Sequence, residues 1–150
     1  MIFLFFNFLA TFFLVGLIWI VQRVVYPSLG EVGESAFVDY HRGHMRRITP
    51  VVFPLMVVEL LTGVALVVVP AGPFYESPLA WAGLLLTLVT WGSTAVLQVP
   101  LHRRLMEKGR DEVALRVLVR SNWIRTASWT LKAILSAWVL WGMMTSALDA

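Results

Sequence analysis

Four stretches of this chain, at about 2–25, 48–70, 77–102 and 123–147, each run for more than 20 residues with at most two charged side chains. A helix needs about 20 mainly apolar residues to cross the hydrocarbon core of a bilayer, and within it every backbone polar group must find an internal partner. The pattern predicts an all-α fold, an integral membrane four-helix bundle running up-down-up-down. Residues 1–150 would form a single transmembrane domain, with connections 26–47 and 103–122 on one side of the membrane. Composition agrees, because charged residues are only 14% of the chain against about 25% in soluble domains. A soluble enzyme, a disordered chain and a transmembrane barrel are excluded, the last because its strands alternate over about 10 residues. With no cysteine, there is no disulfide framework, Fe–S cluster, thiolate metal site or covalent c-type haem.

The 12 Lys and Arg residues set the orientation. They fall in or beside connections 26–47 and 103–122, with Arg125 and Lys132 opening the fourth span, and none lies between spans two and three. Basic residues stay cytoplasmic, so both termini are expected outside, in the inner (plasma) membrane of a bacterium. The net charge of +3 is then a basic rim facing anionic lipid headgroups. No basic stripe with interleaved aromatics points to nucleic acid. The first span lacks a basic leader and a small-x-small cleavage site, and reads as retained. Local signals add detail. Tyr26-Pro27 ends span one; Pro70, Gly72, Pro73 and Pro78 form the outer turn. Pro50 opens span two and Pro54 kinks it. Gly109 caps a helix that the next one follows from Asp111-Glu112, with 112–121 lying along the inner surface. A weak repeat is visible as well: each hairpin's first span ends in Gln then Pro (Gln22/Pro27, Gln98/Pro100), and its second opens on Arg and Thr.

Polar residues inside the spans recur every three or four positions, so each helix has one polar face: Asn7, Thr11 and Gln22; Glu59 and Thr62; Thr87, Trp91, Thr94, Gln98 and His102; Asn122, Arg125, Trp129, Lys132 and Ser136. Four such faces converge inside a bundle. Asn, Thr, Ser and Gln there serve as hydrogen-bonding glue between helices. Glu59 and Lys132 lie deep enough to require a partner, since an isolated charge near the bilayer centre costs at least about 2.5–3.5 kcal/mol. Their pairing fits either a register-fixing ion pair or a proton relay.

The histidines are the strongest chemical signal. His41 and His44 stand three apart in Tyr40-His41-Arg42-Gly43-His44, and His102 ends span three in Gln98-Val99-Pro100-Leu101-His102. All three reach the same inner interface. Converging imidazoles suit zinc, copper or non-haem iron, or a b-type haem held by His102 and one of the pair; the neighbouring arginines equally suit a lipid phosphate. No Glu-x-x-His, His-Glu-x-x-His, G-x-S-x-G or P-loop motif is present.

The runs Gly16-Leu17-Ile18-Trp19, Tyr40-His41-x-x-His44, Gln98-Val99-Pro100-Leu101-His102 and Asn122-Trp123-Ile124-Arg125-Thr126 resemble a group of small uncharacterised bacterial four-helix membrane proteins. More distantly, the proline near the end of span three and the Asn-x-x-Arg opening span four are similar to the anthrone-oxygenase-like family. That resemblance implies oxidation of a small aromatic or lipophilic compound. The expectation is a membrane-embedded redox or oxygenase-type protein with metal or haem at His41, His44 and His102. Glu59 would transfer protons, Arg125 and Asn122 would orient the substrate, and Gln98 and Lys132 would contact the cofactor. The alternative is a non-enzymatic lipid- or lipophile-binding bundle or an accessory subunit, alone or as an oligomer.

Overall fold

A computed structural model describes residues 1–69 and 77–148. They form four long helices: α1 (Ile2–Leu29), α2 (Glu34–Val68), α3 (Pro78–Lys108) and α4 (Glu112–Leu148), each long and apolar enough to cross a membrane. The outer turn expected from Pro70, Gly72 and Pro73 lies outside the described residues. The helices form a closed ring in which α1 and α3 each pack on both α2 and α4. Cross-helix contacts run antiparallel. Asn7 meets Thr62 while Thr11 meets Glu59, and Thr87 meets Lys132 while Gln98 meets Ser121. The two diagonal pairs of the ring are joined through long polar side chains, Tyr26 to His102 and Glu59 to Lys132.

Burial inverts the usual soluble pattern. Asn7, Thr11, Glu59, Thr87, Asn122 and Lys132 are all buried, whereas Phe5, Phe13, Leu61, Leu85 and Trp138 are exposed around the outside. An outer surface of this kind suits acyl chains, with polar groups turned inward. Toward the end where the basic residues gather, Leu29, Phe37, Leu105 and Leu118 have no exposed surface. They pack in one apolar cluster that includes Ala114 and Leu115, drawn from all four helices, and this closes the bundle below the polar interior.

Prolines shape the helices differently from the expectation. α2 starts at Glu34 and runs unbroken through Pro50 and Pro54, so Pro50 does not open it. Span one likewise continues past Tyr26-Pro27 to Leu29. The physical reason is a widened turn. Over Val21–Val25 the helix is π-helical, and the Tyr26 N–H reaches back five residues to the Val21 carbonyl. The same device recurs in α3 at Thr94–Gln98, where the Val99 N–H bonds the Thr94 carbonyl. Proline lacks an N–H and its ring collides with the carbonyl four residues back; in both helices the widened turn comes just before it. Both π turns carry the glutamine of the sequence repeat, Gln22 and Gln98.

The segment 112–121 is not a separate surface helix. It is the first part of a continuous 37-residue α4, about 55 Å long, because no breaker follows Ser121 and because Leu115 and Leu118 pack into the apolar cluster. The α3–α4 corner forms as the sequence indicates. Gly109 takes a positive φ of 78°, and Asp111 Oδ1 accepts from the Val113 and Ala114 amides at 3.0 Å each. Its Oδ2 binds Arg104 at 2.6 Å, tying the end of α3 to the start of α4.

Candidate functional site

Two polar layers occupy the interior. The first is built on Glu59. Its Oε1 accepts from Lys132 Nζ and Thr11 Oγ1 at 2.9 Å each, and its Oε2 accepts from Trp129 Nε1 at 3.0 Å. Lys132 also donates to Thr87 Oγ1 at 2.7 Å, and Asn7 donates to the Glu59 carbonyl at 2.8 Å. Each ion thus has an opposite charge and neutral partners, which is what a desolvated pair requires. Lys132 belongs to this layer and does not reach the histidines.

The second layer lies toward the basic end and surrounds a cavity of about 160 Å³. Gln98 fixes its geometry: its Nε2 donates to Ser121 Oγ at 2.9 Å, which turns Oε1 toward the Tyr26 hydroxyl at 3.3 Å. Tyr26 lies 3.1 Å from His102 Nε2, and His102 Nδ1 lies 3.1 Å from His41 Nε2. The proton positions follow by counting donors. Suppose Tyr26 donates to Gln98, His102 Nε2–H donates to Tyr26, and His41 Nε2–H donates to His102. Then every donor has an acceptor, and His41 Nδ1, which has no partner, is only a lone pair. The reverse order would strand an N–H at that atom, a cost of about 1–3 kcal/mol. The result is a continuous hydrogen-bonded chain of three titratable side chains leading from the cavity wall into the protein.

His44 is placed apart. It is partly exposed and lines the cavity, but its ring centroid is 6.3 Å from that of His41. Among the described residues, no three His, Cys, Asp or Glu side chains gather closely enough to hold a metal ion. The His41 and His102 rings stack with centroids 5.1 Å apart and are joined by their own hydrogen bond, which leaves no gap for a haem plane between them. Of the predicted metal set, then, two members meet and the third does not.

Arg125 lines the same cavity as Tyr26 and His102, and Asn122 lies behind it. Asn122 Nδ2 donates to Gln22 Oε1 at 2.8 Å, and its Oδ1 accepts from Arg125 Nη1 at 3.2 Å. The guanidinium lies 5.2 Å over the Trp129 ring, so Trp129 touches both layers. Tyr26 was not among the residues expected in the site, and Trp129 was expected on the polar face of the fourth span but given no role there. A signal for Tyr26 was present, since it follows Gln22 by four on the polar face, but a tyrosine at a span end also reads as an interfacial anchor.

Compared with models of known protein families, with curated proteins and with solved structures, the chain matches none.

Proposed function

We propose that this protein takes up a small lipophilic molecule from the bilayer into the cavity at the basic end of the bundle and exchanges a proton with it there. The observation that carries this reading is the Tyr26–His102–His41 chain, which opens on an otherwise mainly apolar cavity. Apolar walls with a few converging polar groups are the usual make-up of a small-molecule site. General acid–base groups must lie within hydrogen-bond reach of the proton they move, and Tyr26 and His102 both line the wall. Removing a proton from an aromatic compound leaves an electron-rich anion, its most readily oxidised form. In that way the site suits the redox or oxygenase-type chemistry implied by the resemblance to the anthrone-oxygenase-like family.

In this reading the basic end is cytoplasmic and both termini lie outside, in the inner membrane of a bacterium, with Arg42, Arg46, Arg47, Arg103 and Arg104 facing anionic headgroups. The test uses purified protein in maltoside micelles and 4-butyl-2-nitrophenol, whose phenolate absorbs in the visible. Binding with phenolate appearing below the pH at which the free phenol ionises is expected, and His102→Ala should bind the phenol while losing that shift. Absence of binding by the wild type would refute the reading.

A metal centre is the second reading, favoured by the 3.1 Å spacing of the His41 and His102 nitrogens. Two imidazoles on one tetrahedral zinc, with bonds of about 2.0–2.1 Å, stand only slightly farther apart. His44 would have to rotate inward as the third ligand. Zinc that raises the melting temperature of the wild type but not of His44→Ala would support it.

A further inference from the structure

Arg125 is a cation the protein has buried, held still and, among the described residues, left without a carboxylate counter-ion. It is 7% exposed, so it does not lift its charge out to water as interfacial arginines do. A guanidinium has five N–H donors; here its protein acceptors are both uncharged, the Asn122 Oδ1 on Nη1 and the neighbouring Tyr26 hydroxyl. Its Nε is buried with no partner. Among the described residues, no carboxylate lies within 4.0 Å, the ion pairs being Arg42–Asp39, Arg104–Asp111, Arg110–Glu112 and Lys132–Glu59. The Trp129 ring, the other neighbour that could offset its charge, is neutral as well. Lys132, two turns further along the same helix, shows the contrast, for it has a carboxylate and a hydroxyl on its ammonium.

Resting on the cavity's reading as a lipophile site, the geometry points to its ligand class: a singly charged oxyanion carried on a one-ring or similarly small apolar body, with the oxyanion on Arg125. Three features select it. Arg125 is the one permanently charged residue of the lining, and a planar guanidinium pairs with an oxyanion through two parallel N–H bonds. The group is preorganised, because Asn122 is itself fixed by Gln22 and Trp129 by Glu59. The size also fits, since an apolar cavity of about 150 Å³ accommodates one benzene ring and this one measures about 160 Å³. Of the lining, Thr49, Phe53 and Val99 are exposed. All three belong to α2 and α3, so the mouth lies between those helices and faces laterally, where acyl chains or an alkyl tail would extend. Such an anion arises from a free lipophilic acid or from a phospholipid headgroup.

The experiment compares 4-butylbenzoate with 4-butylbenzyl alcohol, neutral and of nearly the same shape, by titration calorimetry on the full-length protein in maltoside micelles. Wild type should prefer the acid by about tenfold to a hundredfold, the usual worth of a hydrogen bond to a charged group. Arg125→Gln should lose the preference, binding acid and alcohol alike, and Arg125→Lys, which keeps charge without the fork, should retain part of it. Equal affinity of the wild type for acid and alcohol overturns the anion site while leaving the lipophile reading intact, as does a preference that survives in Arg125→Gln. If neither compound binds, both readings fall. A second arm adds phosphatidylglycerol to the micelles. Suppression of benzoate binding identifies a lipid phosphate as the natural occupant, undiminished binding identifies a free acid, and either result supports the oxyanion site.

Discussion

Glu59 and Arg125 are two buried charges on opposite terms with their surroundings, and their substitution should have opposite consequences. Glu59 has no exposed surface and takes hydrogen bonds from Lys132, Thr11 and Trp129. Lys132→Met alone should destabilise the bundle by about 3–5 kcal/mol, because it leaves the carboxylate uncompensated, whereas Glu59→Gln with Lys132→Met should recover most of that loss. Arg125→Met should leave the unliganded protein as stable as the wild type or more so, since it removes a desolvated charge that no carboxylate among the described residues balances. Thermal melting of the four proteins in one detergent measures both effects. That these residues face inward was legible in the sequence, because lipid penalises polar groups so heavily that helical spacing alone sorts them. The pairing of Glu59 with Lys132 was legible as well, from their depth in the spans, but their other partners were not. The polar faces orient Glu59 and Trp129 toward the axis without showing that the Trp129 ring would bridge Glu59 to Arg125.

At the scale of elements, the corner between α3 and α4 depends on two residues with separate physics. Gly109, at φ 78° and ψ −155°, occupies a region open essentially to glycine alone, so Gly109→Ala should cost about 1–3 kcal/mol. Asp111 is held below the ordinary aspartate range, first by the Ala114 amide and then by the Arg104 guanidinium. A carboxyl whose pKa is lower folded than unfolded contributes stability above its unfolded value, about 3.9, and loses it as pH falls through the folded one. The melting temperature of the wild type should therefore drop toward that of Asp111→Asn as pH falls below about 4, and exceed it at neutral pH. This corner was readable, since Gly-x-Asp-Glu is a stop followed by a start. The π turns were not. An extra residue in a helical turn changes neither composition nor hydropathy, and the prolines that follow, Pro27 and Pro100, signalled only an ending. The run 112–121 misled for a related reason: its polar face suggests a headgroup surface, but its apolar face meets Phe37 and Leu105 in a protein core.

For the whole molecule, the charge distribution makes a prediction that fusion reporters can check. Alkaline phosphatase should be active when fused after residue 150 and inactive when inserted after Gly109, and green fluorescent protein should give the converse; the opposite pattern would invert the proposed orientation. The ring closure has a further consequence. Severing the chain at Gly109–Arg110 would yield a three-helix fragment, α1 to α3, and the single helix α4, and the ion pair would be divided between them, Glu59 on the first and Lys132 on the second. Each fragment would carry into the bilayer a charge it cannot neutralise, so neither should persist in a cell that makes it alone. Made together, they should restore one another, each acting as the other's obligatory counter-ion and protecting it from membrane proteases.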